Sequence, residues 1–413
     1  MSHAAHSEQQ RQQHPMPDHV RAGAVAVLIF VGLFIVAQSL LTAWAARQLD
    51  TLAPTGEDEV VKGVYLNRLA LSQPDRLVAM GSSELTFQDH YHAVRLLHDK
   101  PTGFNMHVIG AGYRQSIHNF LVLSSLGEQL KGKRLVLFVS PTWFTPDISE
   151  RAYRRHCSAI QAYEFAYGSA LSPELKQRGA RRLLALKGPV LEDALLHTTL
   201  HALAEGGTWG RVRYLAAWPL GRSAQLYYRF KDRWDVARFS ASKRNKPYKA
   251  TRVEGALNWE RLTRAAEQEA TERSTNNRFG MANEFYSRYV GPKLAELQNS
   301  AAGETWLKST EYADLELVLA TLKELKAQPL FVSLPVMGSY YDFKGHPAAD
   351  RQAYYAKVRT IIEDAGFPVV DYGPQENEPG FMIDPWHQGW KGAVGVAQTL
   401  DGFYHGRLPE SRR

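Results

Sequence analysis

The chain has 413 residues, 44% of them apolar, enough for two average domains or one large domain with insertions, and disorder is excluded as the default. Its formal charge of +7 fits an anionic partner, such as a membrane surface or a charged polymer, and says nothing about fold. The single cysteine, Cys157, excludes an intramolecular disulfide and any cysteine-rich zinc site, and no cofactor or metal is expected.

Residues 22–46, AGAVAVLIFVGLFIVAQSLLTAWAA, carry no charge and are bounded by Arg21 and Arg47. As a helix this run would span roughly 37 Å at ~1.5 Å per residue, enough for a bilayer core with tilt. Trp44 sits where an interfacial aromatic would sit. The alternative is a cleaved signal peptide. The apolar run is longer than such a segment needs and follows a polar tail, so an uncleaved anchor is expected. Arg11 and Arg21 before the run, against Arg47 after it, lean towards the N-terminus inside and the large domain outside the cytoplasm. Residues 1–21 are then a cytoplasmic tail, 22–46 the anchor, 47–75 a linker and 76–405 the extracytoplasmic domain. The acidic run Glu57, Asp58 and Glu59 reads as a solvated juxtamembrane linker.

Apolar strand-like runs follow at 76–80, 104–109, 134–139, 329–334 and 367–371. Between them lie stretches with helical spacing, among them DLELVLATLKELKAQ from Asp314 and RQAYYAKVRTIIEDAG from Arg351. Strand and helix in alternation predict an α/β fold, a central parallel sheet of about five strands with helices on its faces. Residues 150–310 break the rhythm, are rich in Tyr, Trp and Arg, and predict a mostly helical insertion.

Gly81, Ser82 and Ser83 end the first strand. One of the two serines could cap the next helix, or Ser83 could project a nucleophilic hydroxyl above the sheet, where α/β folds bind ligands. A serine nucleophile needs a base, and the base an orienting group. Among fifteen histidines, His90, His92 and His98 have spacings unsuited to a two-ligand helical metal pair, and His107 and His118 read as packing or surface residues. His387 stands apart. Asp384 lies three residues before it, so a carboxylate can hold one ring nitrogen while the other faces a serine. Trp143, Tyr312 and Trp386 either wall a pocket or pack beside the sheet. The stretch 231–252 sets eight basic residues against Asp232 and Asp235, and is either a surface for an anionic glycopolymer or lipid headgroups or a solvated face. No recognisable nucleic-acid module is present.

The first-strand serine with a C-terminal D-x-x-H resembles the SGNH/GDSL hydrolase superfamily, whose fold is flavodoxin-like and three-layered. Within it the chain is similar to the DltD family over about residues 75–400, through GSSEL (81–85), GAGYRQSI (110–117), LVLFVSPTWF (135–144), STNNRFGM (274–281), LFVSLPVMGSYYDFKG (330–345) and FMIDPWHQGWKGAV (381–394). Ser82 stands where the superfamily has aspartate, Met337 where the family pattern has asparagine, and SPTWF occupies the superfamily's asparagine block. The resemblance implies D-alanylation of a cell-envelope polymer such as teichoic acid, with Ser83 as nucleophile, His387 as base and Asp384 as its orienting group. It implies a membrane-bound O-acyltransferase and a D-alanyl carrier protein as partners. Candidate oxyanion donors are the Ser83 and Gly112 amides and the Gln115 side chain. An esterase or thioesterase with the same triad, and a non-catalytic adaptor, are the alternatives.

Overall fold

In a computed structural model of the protein, the described residues are 18–407 except 88, 187, 189–191, 243, 245, 247 and 252–256. The first seventeen positions of the expected tail, and Lys243 and Arg252 of the basic stretch, lie outside them.

Five strands pair in parallel in the order β2-β1-β3-β4-β5: β1 Arg76–Met80, β2 Asn105–Ile109, β3 Arg134–Val139, β4 Gln328–Ser333 and β5 Val369–Asp371. Their side chains are buried almost without interruption, as a parallel sheet covered on both faces requires. The fifth strand is shorter than its apolar run. The Pro368 carbonyl accepts the Phe331 N–H at 3.0 Å, but proline has no N–H to return, so the ladder begins at Val369.

Helices of eight or more residues are numbered in chain order: α1 Asp18–Ala46, α2 Tyr65–Ser72, α3 Ser116–Leu126, α4 Ala159–Tyr167, α5 Pro173–Ala185, α6 Ala194–Glu205, α7 Gly207–Phe239, α8 Trp259–Arg273, α9 Glu311–Glu324, α10 Ala348–Asp364 and α11 Trp390–Tyr404. Helices α4 to α8 lie between β3 and β4, and no strand occurs there among the described residues, which is the helical insertion expected from sequence. Helix α1 is long and apolar enough to cross a membrane, almost none of it is buried in the protein, and it fits a single-pass anchor.

Residues 47–75 are not a free linker. They form short helical segments whose Leu52, Val60, Val61, Leu66 and Ala70 are fully buried, and the Ala53 carbonyl accepts the Val108 N–H at 2.7 Å. The segment is apolar enough to join the core that covers the sheet. Glu57 and Glu59 are not merely solvated either, because Arg244 from the insertion pairs with both, and Lys62 pairs with Asp58 at 3.0 Å. Part of the basic stretch is thus consumed internally; Lys231 also pairs with Asp235.

Buried polar groups tie the insertion to the helical segment that precedes β1. The buried Asp232 carboxylate accepts the N–H groups of Val64 (3.0 Å) and Tyr65 (2.8 Å), and burial pushes its pKa up to about 6. Glu164, also buried, receives Arg68 at 2.8 Å together with Arg229.

Candidate active site

The strand order places β1 beside β3, with β2 on the other side of β1, so the chain reverses direction across the sheet at the carboxyl end of β1. A crevice opens at such a switch point, where α/β folds bind their ligands. Ser83 sits there, as the first residue of a short 3-10 turn over Ser83–Leu85.

Ser83 Oγ lies 2.9 Å from His387 Nε2, and His387 Nδ1 lies 2.8 Å from Asp384 Oδ2. Three hundred and four residues separate the first pair and three the second. With Nδ1–H donated to the carboxylate, Nε2 is the acceptor facing the serine hydroxyl.

Local structure explains how the D-x-x-H spacing brings Asp384 to His387. Met382 and Gln388 pair across an antiparallel bridge, and the Ile383 N–H donates to the His387 carbonyl at 3.0 Å. Inside this turn Asp384 Oδ1 accepts the N–H groups of Trp386 (2.8 Å) and His387 (2.9 Å). One carboxylate therefore both shapes the turn and holds the imidazole, and Asp384 is only 1% exposed. Phe87 stacks on the His387 ring with centroids 4.5 Å apart, while Trp386 meets it edge-on at 6.4 Å and donates Nε1–H to the Tyr341 hydroxyl at 3.1 Å.

The serine loop is held from beneath. The Ser82 hydroxyl does not cap the following turn; it reaches across to the Ala111 carbonyl at 3.1 Å. The Ser82 N–H instead goes to the folded-back Glu84 carboxylate, which is buried and has its pKa raised by that burial. Gly81 makes room for this, since a Cβ there would stand 2.1 Å from Glu84 Oε1. The Glu84 carbonyl faces His92 Nε2 at 2.8 Å and Gln388 Nε2 at 3.3 Å, joining the serine loop to the histidine loop. Asp89 adds a second clamp by accepting the Trp390 N–H at 3.0 Å, at a residue with φ of 45°.

Gly112 faces Ser83: a Cβ built on it would sit 3.9 Å from Ser83 Cβ. Its carbonyl pairs with His156 Nε2 at 2.7 Å, and burial lowers the His156 pKa to about 4, so the ring is neutral near pH 7. Among the described residues neither the Ser83 nor the Gly112 N–H donates to another backbone group. Gln115 and Trp143 are bonded to each other, Gln115 Nε2 donating to the Trp143 carbonyl at 2.6 Å. Tyr312 is buried against Phe144, with its hydroxyl on the Trp306 carbonyl at 3.1 Å and the Lys357 ammonium 3.6 Å from its ring centroid. Its surroundings are those of a packing residue.

Sequence reasoning did not single out Phe87, Glu84, His92, Asp89 or His156. Phe87 and Glu84 fall within four residues of Ser83, which was a usable signal. The other three act through backbone contacts that no spacing announces. Among the described residues no cluster of three or more potential metal ligands occurs.

The family model described as DltD protein matches residues 53–405. The chain is 33% identical over 384 residues to Protein DltD of Bacillus subtilis (strain 168), covering 92% of this chain and 95% of that protein. It is 26% identical over 347 residues to Protein DltD of Lacticaseibacillus rhamnosus, covering 83% and 81%. To Protein DltD of Staphylococcus aureus (strain NCTC 8325 / PS 47) it is 25% identical over 380 residues, covering 91% and 94%.

Proposed function

The chain belongs to the DltD family, and on that premise we propose that it is a serine-dependent O-acyltransferase of SGNH type that passes D-alanine to an envelope polymer. DltD proteins take part in the D-alanylation of teichoic acids. The single observation that carries the enzymatic reading is the continuous chain from Ser83 through His387 to Asp384, at 2.9 and 2.8 Å.

In this mechanism Ser83 Oγ attacks the acyl carbonyl of a D-alanyl ester or thioester while its proton passes to His387 Nε2. The tetrahedral intermediate collapses, the donor's C–O or C–S bond breaks, and His387 returns the proton to the leaving group. A polymer hydroxyl then attacks the seryl ester, giving its proton to Nε2, and Ser83 Oγ leaves with that proton. Asp384 holds the ring and stabilises the imidazolium in both halves. The Ser83 and Gly112 amides are the oxyanion donors in this reading. Trp386, 40% exposed beside His387, walls the entrance.

The catalytic domain lies outside the cytoplasm in this proposal, with α1 as the anchor. A membrane-bound O-acyltransferase and a D-alanyl carrier protein supply the acyl group, as the family resemblance implies. The test is the amount of ester-linked D-alanine on envelope polymers from cells carrying the wild type or Ser83→Ala. Loss in the variant is expected, and equal amounts overturn the transfer reading. Fluorophosphonate labelling followed by mass mapping separates an enzyme from an adaptor, because only an enzyme gives an adduct on Ser83 that depends on His387.

A further inference from the structure

Helix α7 carries an apolar face that the protein does not cover. Trp209, Val212, Leu215, Leu220, Leu226 and Tyr227 are each more than half exposed. At about 100° per residue, Trp209, Val212, Leu220 and Tyr227 fall within about 80° of one another, and Leu215 and Leu226 widen the stripe to about 140°. No charged residue falls inside it up to Phe230. Arg213 borders it on one side, and Arg211 and Arg222 on the other.

The stripe runs into the anchor. Phe230, in the middle of the same face, stacks on Phe34 of α1 with ring centroids 5.8 Å apart. Phe34 is the midpoint of the uncharged run 22–46, about 18 Å along the helix from Ala46. With a hydrocarbon core about 30 Å thick, Phe34 lies at hydrocarbon depth however that run is seated. Phe230 touches it and must lie at that depth too.

We infer that α7 is an interfacial helix: its stripe is buried in the outward-facing leaflet beside α1, and its bordering arginines meet anionic headgroups. The inference rests on α1 being a membrane anchor. The chemistry is that of an amphipathic helix lying in a lipid surface, with large apolar side chains below and basic ones at the waterline. Two contacts, the anchor and this helix, would then fix how the domain is tilted over the membrane.

The test uses the full chain in phosphatidylglycerol vesicles containing a lipid with a diazirine on its acyl chain. After illumination, adducts are mapped by mass spectrometry. Adducts on both α1 and residues 209–227 are expected. Adducts on α1 alone overturn the inference and leave the anchor standing, and that is also the result if a second copy or another protein covers the stripe. Adducts on neither helix overturn the anchor reading and the inference with it. In Val212→Glu/Leu220→Glu, adducts on α7 should fall at least tenfold, while those on α1 and the fluorophosphonate labelling of Ser83 stay unchanged. Undiminished α7 adducts would show that the labelling does not depend on the stripe, and would sink the proposal.

Discussion

Replacing Asp384 with asparagine should leave the fold intact and disarm Ser83. The two backbone N–H groups of Trp386 and His387 converge on Asp384 Oδ1 at 2.8 and 2.9 Å, so the amide oxygen of asparagine is drawn to that position. Its NH2 group then faces His387 Nδ1, 2.8 Å away in the wild type, and can only donate. The ring proton is driven to Nε2, which now donates to Ser83 Oγ and can no longer accept its proton. A wrong tautomer of this kind costs about 10⁴ in rate, or about 5.4 kcal/mol at ~1.36 kcal/mol per tenfold. The assay is the rate of fluorophosphonate attachment to Ser83, which needs no knowledge of the natural donor, together with thermal melting. A slowing of roughly 10⁴ with an unchanged melting point is expected. Labelling within about tenfold of wild type would refute the tautomer reasoning. Asp384→Ala should differ in a second way: it leaves the turn's two N–H groups without a side-chain acceptor, and should lower stability by about 1–3 kcal/mol as well.

Two neighbouring glycines should behave oppositely. Alanine at Gly112 meets only Ser83 Cβ at 3.9 Å, so Gly112→Ala should melt within about 0.5 kcal/mol of wild type, whereas a Cβ at Gly110 would lie 2.7 Å from Leu85 Cβ and 2.8 Å from the Ser82 carbonyl oxygen, and Gly110→Ala should cost about 1–3 kcal/mol in denaturant titrations. Asp232 gives a pH signature. Its folded pKa is about 6 against an ordinary 3.8, so the folded state holds the proton more tightly, and the stability this contributes is complete below about pH 4 and lost as pH rises towards 6. The loss is on the order of 3 kcal/mol at ~1.36 kcal/mol per unit; Asp232→Asn, which cannot ionise, should lack this step, and its stability relative to wild type should rise between pH 4 and pH 7. A constant difference across that range would contradict the assignment.

The sheet was legible because its strands are buried on both faces and therefore read as apolar runs; β5 was overestimated most, by two residues, where Pro368 interrupts the donor pattern. The serine and the D-x-x-H were legible because each is a local signal at an element boundary. Residues 47–75 were misread because a polar beginning, with Glu57, Asp58 and Glu59, masks a segment whose apolar residues face inward. Glu57 and Glu59 are met by Arg244, nearly two hundred residues away, and no local pattern announces such a partner. The supports beneath Ser83 were hidden for a related reason. His92 and His156 act on backbone carbonyls, so their roles depend on where the chain passes and not on residue spacing.

The separation of 304 residues between Ser83 and His387 also has a consequence in time. A chain made from its N-terminus presents Ser83 early, just after the first strand, and His387 only near the end. In the proposed mechanism Ser83 has no base until β5 has paired with β4 and the 382–388 turn has closed, so a nascent or C-terminally truncated chain should not capture acyl groups. On that reading, acylation at Ser83 would report that synthesis and folding are both complete.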